Sequence, residues 1–96
     1  MDIAKNLDAG RLTITVAGRL DTVTTPQLER ELDLNGVTEL LFDIAGVEYV
    51  SSAGLRLFLT AQKTMAKQGS MTIRGARPVV REVFDITGFS AILTLV

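Results

Sequence analysis

Leu40-Leu41-Phe42-Asp43-Ile44 is a short, almost wholly apolar run, and a second apolar stretch, Val47 to Val50, leads directly into Ser51-Ser52-Ala53-Gly54. The first run has the pattern of a central strand covered on both faces, where strict alternation is not required. From Leu55 to Lys67 the period changes to that of a helix. Leu55, Phe58, Leu59, Met65 and Ala66 fall near one face, Arg56, Lys63 and Lys67 are available to water, and Gly69 ends the element. An apolar strand, a small hydroxyl-bearing turn and an amphipathic helix in this order predict an α/β fold.

Working outward, Leu12, Ile14 and Val16 alternate with Thr13 and Thr15 between Arg11 and Ala17, the period of a strand with one buried face. Asp8-Ala9-Gly10 is a turn signal, which makes Ile3 to Leu7 an antiparallel partner strand. Gly18 to Thr24 reads as a loop into a helix with Thr25 at its N-cap and Pro26 at its first position, ending near Asn35-Gly36. Downstream, Met71 to Arg74 is of strand length, and Pro78 should open a third helix. Val79, Val80, Val83 and Phe84 form its apolar side, and Gly88 stands where a left-handed C-terminus is expected. Ile92 to Val96 is a last strand or an extended tail. The expected architecture is a mixed, mostly parallel sheet with helices packed against it.

The chain has 96 residues, a formal net charge of -1 and 47% hydrophobic residues, which is room for a single domain spanning residues 1–96. No segment approaches the roughly 20 consecutive apolar residues of a membrane span. Met1 to Gly10 lacks the features of a signal peptide, so a soluble cytoplasmic protein without membrane insertion is expected. The absence of Cys and His excludes thiol catalysis, disulfides, the usual zinc sites and a Ser-His-Asp triad. Ten basic residues are scattered among eleven acidic ones, with one Tyr, four Phe and no Trp, so direct nucleic-acid binding is not expected.

The chemistry-bearing segment is Ser51-Ser52. Either hydroxyl can cap the following helix, which is the ordinary role of Ser before a helix. Either can also be presented to another protein, and a phosphate added there would meet free N–H groups and the positive helix end. A serine hydrolase elbow fails, because Val50 stands where Gly is needed two residues before Ser52 and there is no His base. Lys63 or Lys67 could in principle act as a base, but nothing in the sequence orients either toward Ser52, so hydrolase chemistry is not expected.

Asp43-Ile44-Ala45-Gly46-Val47-Glu48-Tyr49-Val50-Ser51-Ser52-Ala53-Gly54-Leu55-Arg56 resembles the signature of bacterial anti-sigma factor antagonists, which are STAS-domain proteins. Gly18-Arg19-Leu20-Asp21 upstream and Val83-Phe84-Asp85-Ile86-Thr87-Gly88-Phe89 downstream extend the likeness over nearly the whole chain. The resemblance implies a single STAS-like domain acting as a binding switch, not an enzyme. In that family the unmodified protein binds an anti-sigma factor that is also a serine kinase and so releases the sigma factor. Phosphorylation of one Ser ends this state, and a serine/threonine phosphatase restores it. Aligning the family's Gly-Leu with Gly54-Leu55 places the acceptor at Ser52, with Ser51 as second candidate.

Ser51 stands where well-known members carry Asp, and so lacks a fixed negative charge beside the acceptor. The resemblance further implies a partner surface of Asp21, Ser51, Ser52, Gly54, Arg56 and Leu57, with Gly54 allowing close backbone approach. No cofactor is implied for the chain itself, because the partner kinase would bind the ATP. One competing reading keeps the fold and makes the chain an accessory subunit of a transporter or signalling complex; another, from a different class, is a small-molecule sensor with a pocket beside the Ser51–Leu55 loop. Asp21 also has an ordinary reading as a turn residue, and Leu57 as a lone exposed apolar residue.

Overall fold

The computed structural model describes residues 1–96. Strand β1 (Asp2–Asp8) is followed by β2 (Arg11–Leu20), helix α1 (Thr25–Arg30), β3 (Glu39–Val50) and helix α2 (Ser52–Ala66). Strand β4 (Ser70–Arg74), helix α3 (Pro78–Thr87) and a single 3₁₀ turn (Phe89–Ala91) complete the chain. The four strands form one sheet in the order β1-β2-β3-β4, with β1 antiparallel to β2 and the remaining neighbours parallel. The mixed, mostly parallel α/β sheet expected from the pattern is therefore the fold.

Local chemistry accounts for the connections. Ala9 (φ 48°) and Gly10 (φ 86°) make the two-residue turn of the β1–β2 hairpin, in which both central residues need positive φ. Parallel neighbours cannot be joined so tightly, and α1 and α2 occupy the crossovers from β2 to β3 and from β3 to β4. The C-terminal segment after the 3₁₀ turn is extended beside β4. Ile73 exchanges backbone hydrogen bonds with Thr94 and Val96 at 2.9 Å each, so the expected strand or tail is a short fragment pairing through one bridge.

The core lies on one face of the sheet. Leu12, Ile14 and Val16 of β2, Leu40, Phe42 and Ile44 of β3, and Met71 and Ile73 of β4 point into a single cluster of 21 buried residues. Phe58 of α2 packs edge-on against Phe42 at 5.1 Å and beside Phe84 of α3 at 5.9 Å, which fixes both helices against the same face. This corrects the expectation of a central strand covered twice. Leu41 and Asp43 point the other way and are only half-buried, and Asp43 pairs there with Arg74 at 3.2 Å. The run looked continuous because Leu41 is apolar, not because its face is sealed.

Two further corrections concern boundaries. Strand β2 runs on to Leu20, through the segment expected to be loop. Helix α1 is preceded by Thr24 rather than Thr25 and ends at Arg30, well before Asn35-Gly36. Thr25 points its side chain into the interior instead, while Leu32, Leu34 and Val37 leave the helical path to pack against the core. Tertiary burial of those three overrides their helical propensity. Gly88 closes α3 with φ 81°, as expected. No helix is long and apolar enough to cross a membrane.

Candidate functional site

The parallel register pairs Leu20 with Val50, so the chain leaves β2 and β3 side by side. Asp21 and Ser51 are the next residues, and the Ser51 N–H donates to the Leu20 carbonyl at 2.8 Å. Two segments distant in sequence are thereby brought to one rim of the domain.

The two serines part company at this rim. Ser51 has extended backbone (φ -87°, ψ 174°) and serves as the N-cap of α2, its Oγ accepting from the Gly54 N–H at 3.4 Å and its carbonyl from the Leu55 N–H at 3.0 Å. Ser52 is the first helical residue, and its side chain is exposed. Helix α2 begins three residues earlier than its apolar pattern suggested, since Ser52, Ala53 and Gly54 are small residues that carry no periodic signal.

Asp21 folds the neighbouring turn. Its Oδ1 accepts from the backbone N–H of Val23 at 3.0 Å, the backbone N–H of Thr24 at 2.9 Å and the Thr24 hydroxyl at 3.1 Å. The Thr24 N–H is the main cause of a carboxyl held below its ordinary value. Partial burial opposes this, while Val23, the Thr24 hydroxyl and the charge of Arg19 add to it. Asp21 thus has the turn role. Its Oδ2 faces Arg19 at 3.8 Å, and the Arg19 guanidinium lies 4.4 Å over the ring of Tyr49. Val23 at the tip of the turn is 76% exposed and Tyr49 41%. Sequence reasoning passed over Val23 and the Arg19–Tyr49 stack. The latter had no local signal, because its members meet only through the β2–β3 pairing that sets Arg19 opposite Tyr49.

The expected partner surface is not assembled as a whole. Asp21, Ser51, Ser52 and Arg56 lie at or beside the rim with Arg56 exposed, but Leu57 is only 7% exposed and belongs to the core cluster. Leu57 is therefore a core residue, neither a lone exposed apolar side chain nor part of a partner surface. Gly54 is also buried. A Cβ there would lie 2.9 Å from the side chain of Leu20 and 3.1 Å from that of Val50, so its smallness lets α2 approach the strand ends of its own domain rather than a visitor.

Neither of the two surface grooves is lined by residues of the Ser51–Leu55 loop. The larger groove, about 400 Å³, runs between the α1 exit and the middle of α2, with Leu32, Leu34, Leu57 and Ala61 among its lining residues. No three acidic side chains converge as a metal site would require. The rim offers an accessible hydroxyl at a helix start, a rigid acidic turn and a cation stacked on an aromatic ring.

A family model described as Mlab, STAS domain matches residues 3–95. BtrV of Bordetella bronchiseptica, which carries the name of an anti-sigma factor antagonist, is 36% identical over 87 residues, covering 86% of this chain and 75% of the relative. The anti-sigma-B factor antagonist of Listeria monocytogenes is 32% identical over 95 residues, covering 95% and 83%. Among solved structures, the Bacillus cell fate determinant SpoIIAA shares the fold. Its unphosphorylated form superposes with a TM-score of 0.83 at 19% identity, covering 99% of this chain and 88% of that one. Its phosphorylated form superposes with a TM-score of 0.76 at 18% identity, covering 99% and 91%.

Proposed function

This chain belongs to the STAS domain family, and from that premise we propose that it is a cytoplasmic anti-sigma factor antagonist switched by phosphorylation at Ser52. The unmodified form binds an anti-sigma factor that is also a serine kinase and frees the sigma factor held by it. The kinase transfers the γ-phosphoryl group of its bound ATP to Ser52 Oγ. The new O–P bond replaces the bond to the bridging oxygen of ADP, and a base of the kinase takes the hydroxyl proton. A serine/threonine phosphatase hydrolyses the ester and resets the switch. The chain is the substrate and ligand of these enzymes, catalyses nothing itself and needs no cofactor.

The observation that carries this reading is the division between the two serines: Ser51 is committed to the cap, and Ser52 stands exposed one residue later. A kinase can reach Ser52 without dismantling the fold. The phosphate adds about -1.5 to -2 charges at neutral pH, which the start of a helix tolerates in water but a closed protein interface resists. A loss of about 3 kcal/mol on binding weakens affinity more than a hundredfold, enough for a switch without a large conformational change.

The test incubates the purified protein with an anti-sigma factor kinase of the same genome and ATP, then maps the phosphate by mass spectrometry. A single label on Ser52, with weaker kinase binding afterwards, supports the reading. A label confined to Ser51 rejects the acceptor, and equal binding by both forms rejects the mechanism. Stable recovery with a transporter ATPase in place of a sigma factor system would move the chain to the accessory-subunit reading.

A further inference from the structure

We propose that Arg56 is the intramolecular partner of the phosphate on Ser52, pairing with the modified side chain across one turn of α2; this deepens the assignment of Ser52 as the acceptor and rests on it. Ser52 and Arg56 are four residues apart in the same helix, and both are exposed. Residues at this spacing are neighbours on a helix surface. Side chains on a helix also lean toward its N-terminus, so Arg56 extends over the turn that carries Ser52.

Arg56 has no anionic partner in the unmodified chain. It begins the second turn of α2, and α2 contains no Asp or Glu to balance its charge. Like Arg30 and Arg77, it takes part in none of the ion pairs, whereas Arg11, Arg19, Arg74 and Arg81 each have a carboxylate. Lys63 also lies on α2 but stands 11 residues beyond Ser52, about 16 Å along the axis and out of reach. The charged groups at the adjoining strand ends are Arg19, already shared between Asp21 and Tyr49, the Asp21 carboxylate, which is committed to its own turn and to Arg19, and Glu48. A phosphate on Ser52 supplies the missing anion, and the planar guanidinium can grip two of its oxygens at once. The modification then leaves a paired charge on the surface of an intact helix.

The test needs no kinase. Phosphoserine is installed at position 52 during synthesis of the full chain, and the phosphate is titrated by phosphorus NMR in the Arg56 form and in the R56Q, R56K and R19Q variants. The second ionisation of the phosphate is expected to lie about 0.3 unit lower with Arg56 than with R56Q, as an exposed pair at this spacing should give. R56K should keep part of that shift, R19Q should leave it unchanged, and 1 M salt should shrink it. Identical titrations for Arg56 and R56Q, or a shift that follows R19Q instead, would overturn the proposal. A kinase that leaves Ser52 unlabelled would sink the acceptor assignment without touching this result.

Discussion

The Ser51 N–H donates to the carbonyl of Leu20 at 2.8 Å, tying the first turn of α2 to the last residue of β2. That bond sets the Asp21 turn and the exposed Ser52 on one rim, although 31 residues separate Asp21 from Ser52 in the chain. It also separates the serines by task, because a residue anchored at its N–H and capping through its Oγ cannot also be the freely presented one.

Replacing each serine by alanine should therefore give different stabilities. Ser51→Ala loses the bond from the Gly54 N–H and is expected to cost about 1 kcal/mol, while Ser52→Ala should stay within about 0.5 kcal/mol of the parent. Urea denaturation midpoints compare them directly. The reverse order would mean that Ser52 holds the cap.

Gly54→Ala tests the close approach of α2 to the strand ends. Alanine favours a helix over glycine by about 1 kcal/mol, but the new methyl group would press on the fully buried Leu20 at 2.9 Å. Overpacking of this kind costs about 1–3 kcal/mol, so the expected net effect is a loss of stability, read as a lower melting temperature. A more stable variant would show that the contact yields freely.

Leu57→Ala and Arg56→Ala should behave oppositely despite being neighbours. Leu57 belongs to the core and borders the groove, so its truncation is expected to cost about 2 kcal/mol, at the low end for such changes. Arg56→Ala in the unphosphorylated protein should shift stability by no more than about 0.5 kcal/mol. Calorimetry of both variants checks the assignment of Leu57 to packing rather than to a partner.

The Asp21 carboxyl predicts an acid-sensitive turn. Its value is lowered in the folded protein, chiefly by the Thr24 N–H. The resulting stability is therefore complete above the ordinary aspartate value of about 3.9 and is lost as the pH falls through the lowered folded value. Asp85, lowered chiefly by its hydrogen bond from the Ser90 hydroxyl, acts in the same direction. Melting temperatures between pH 2 and pH 6 should fall less steeply for Asp21→Asn than for the parent, with the remaining slope reduced further by Asp85→Asn. Parallel curves for parent and Asp21→Asn would show that the turn contributes nothing through its charge.

Much of this molecule was legible from local chemistry. The alternation of Leu12, Ile14 and Val16, the Asp8-Ala9-Gly10 turn, Pro78 at the start of α3 and Gly88 at its end are each decided by residues within a few positions of one another. The order of elements and the α/β class follow from these. Local chemistry along the chain thus establishes the kinds of element and the presence of a hydroxyl pair before a helix. Tertiary structure decided which face of β3 is covered, that α1 stops at Arg30, that Leu57 and Gly54 turn inward, and which serine is left exposed. The reason is that burial and the Leu20–Ser51 bond depend on partners 30 or so residues away, and a periodicity read along one segment carries no information about what another segment brings against it.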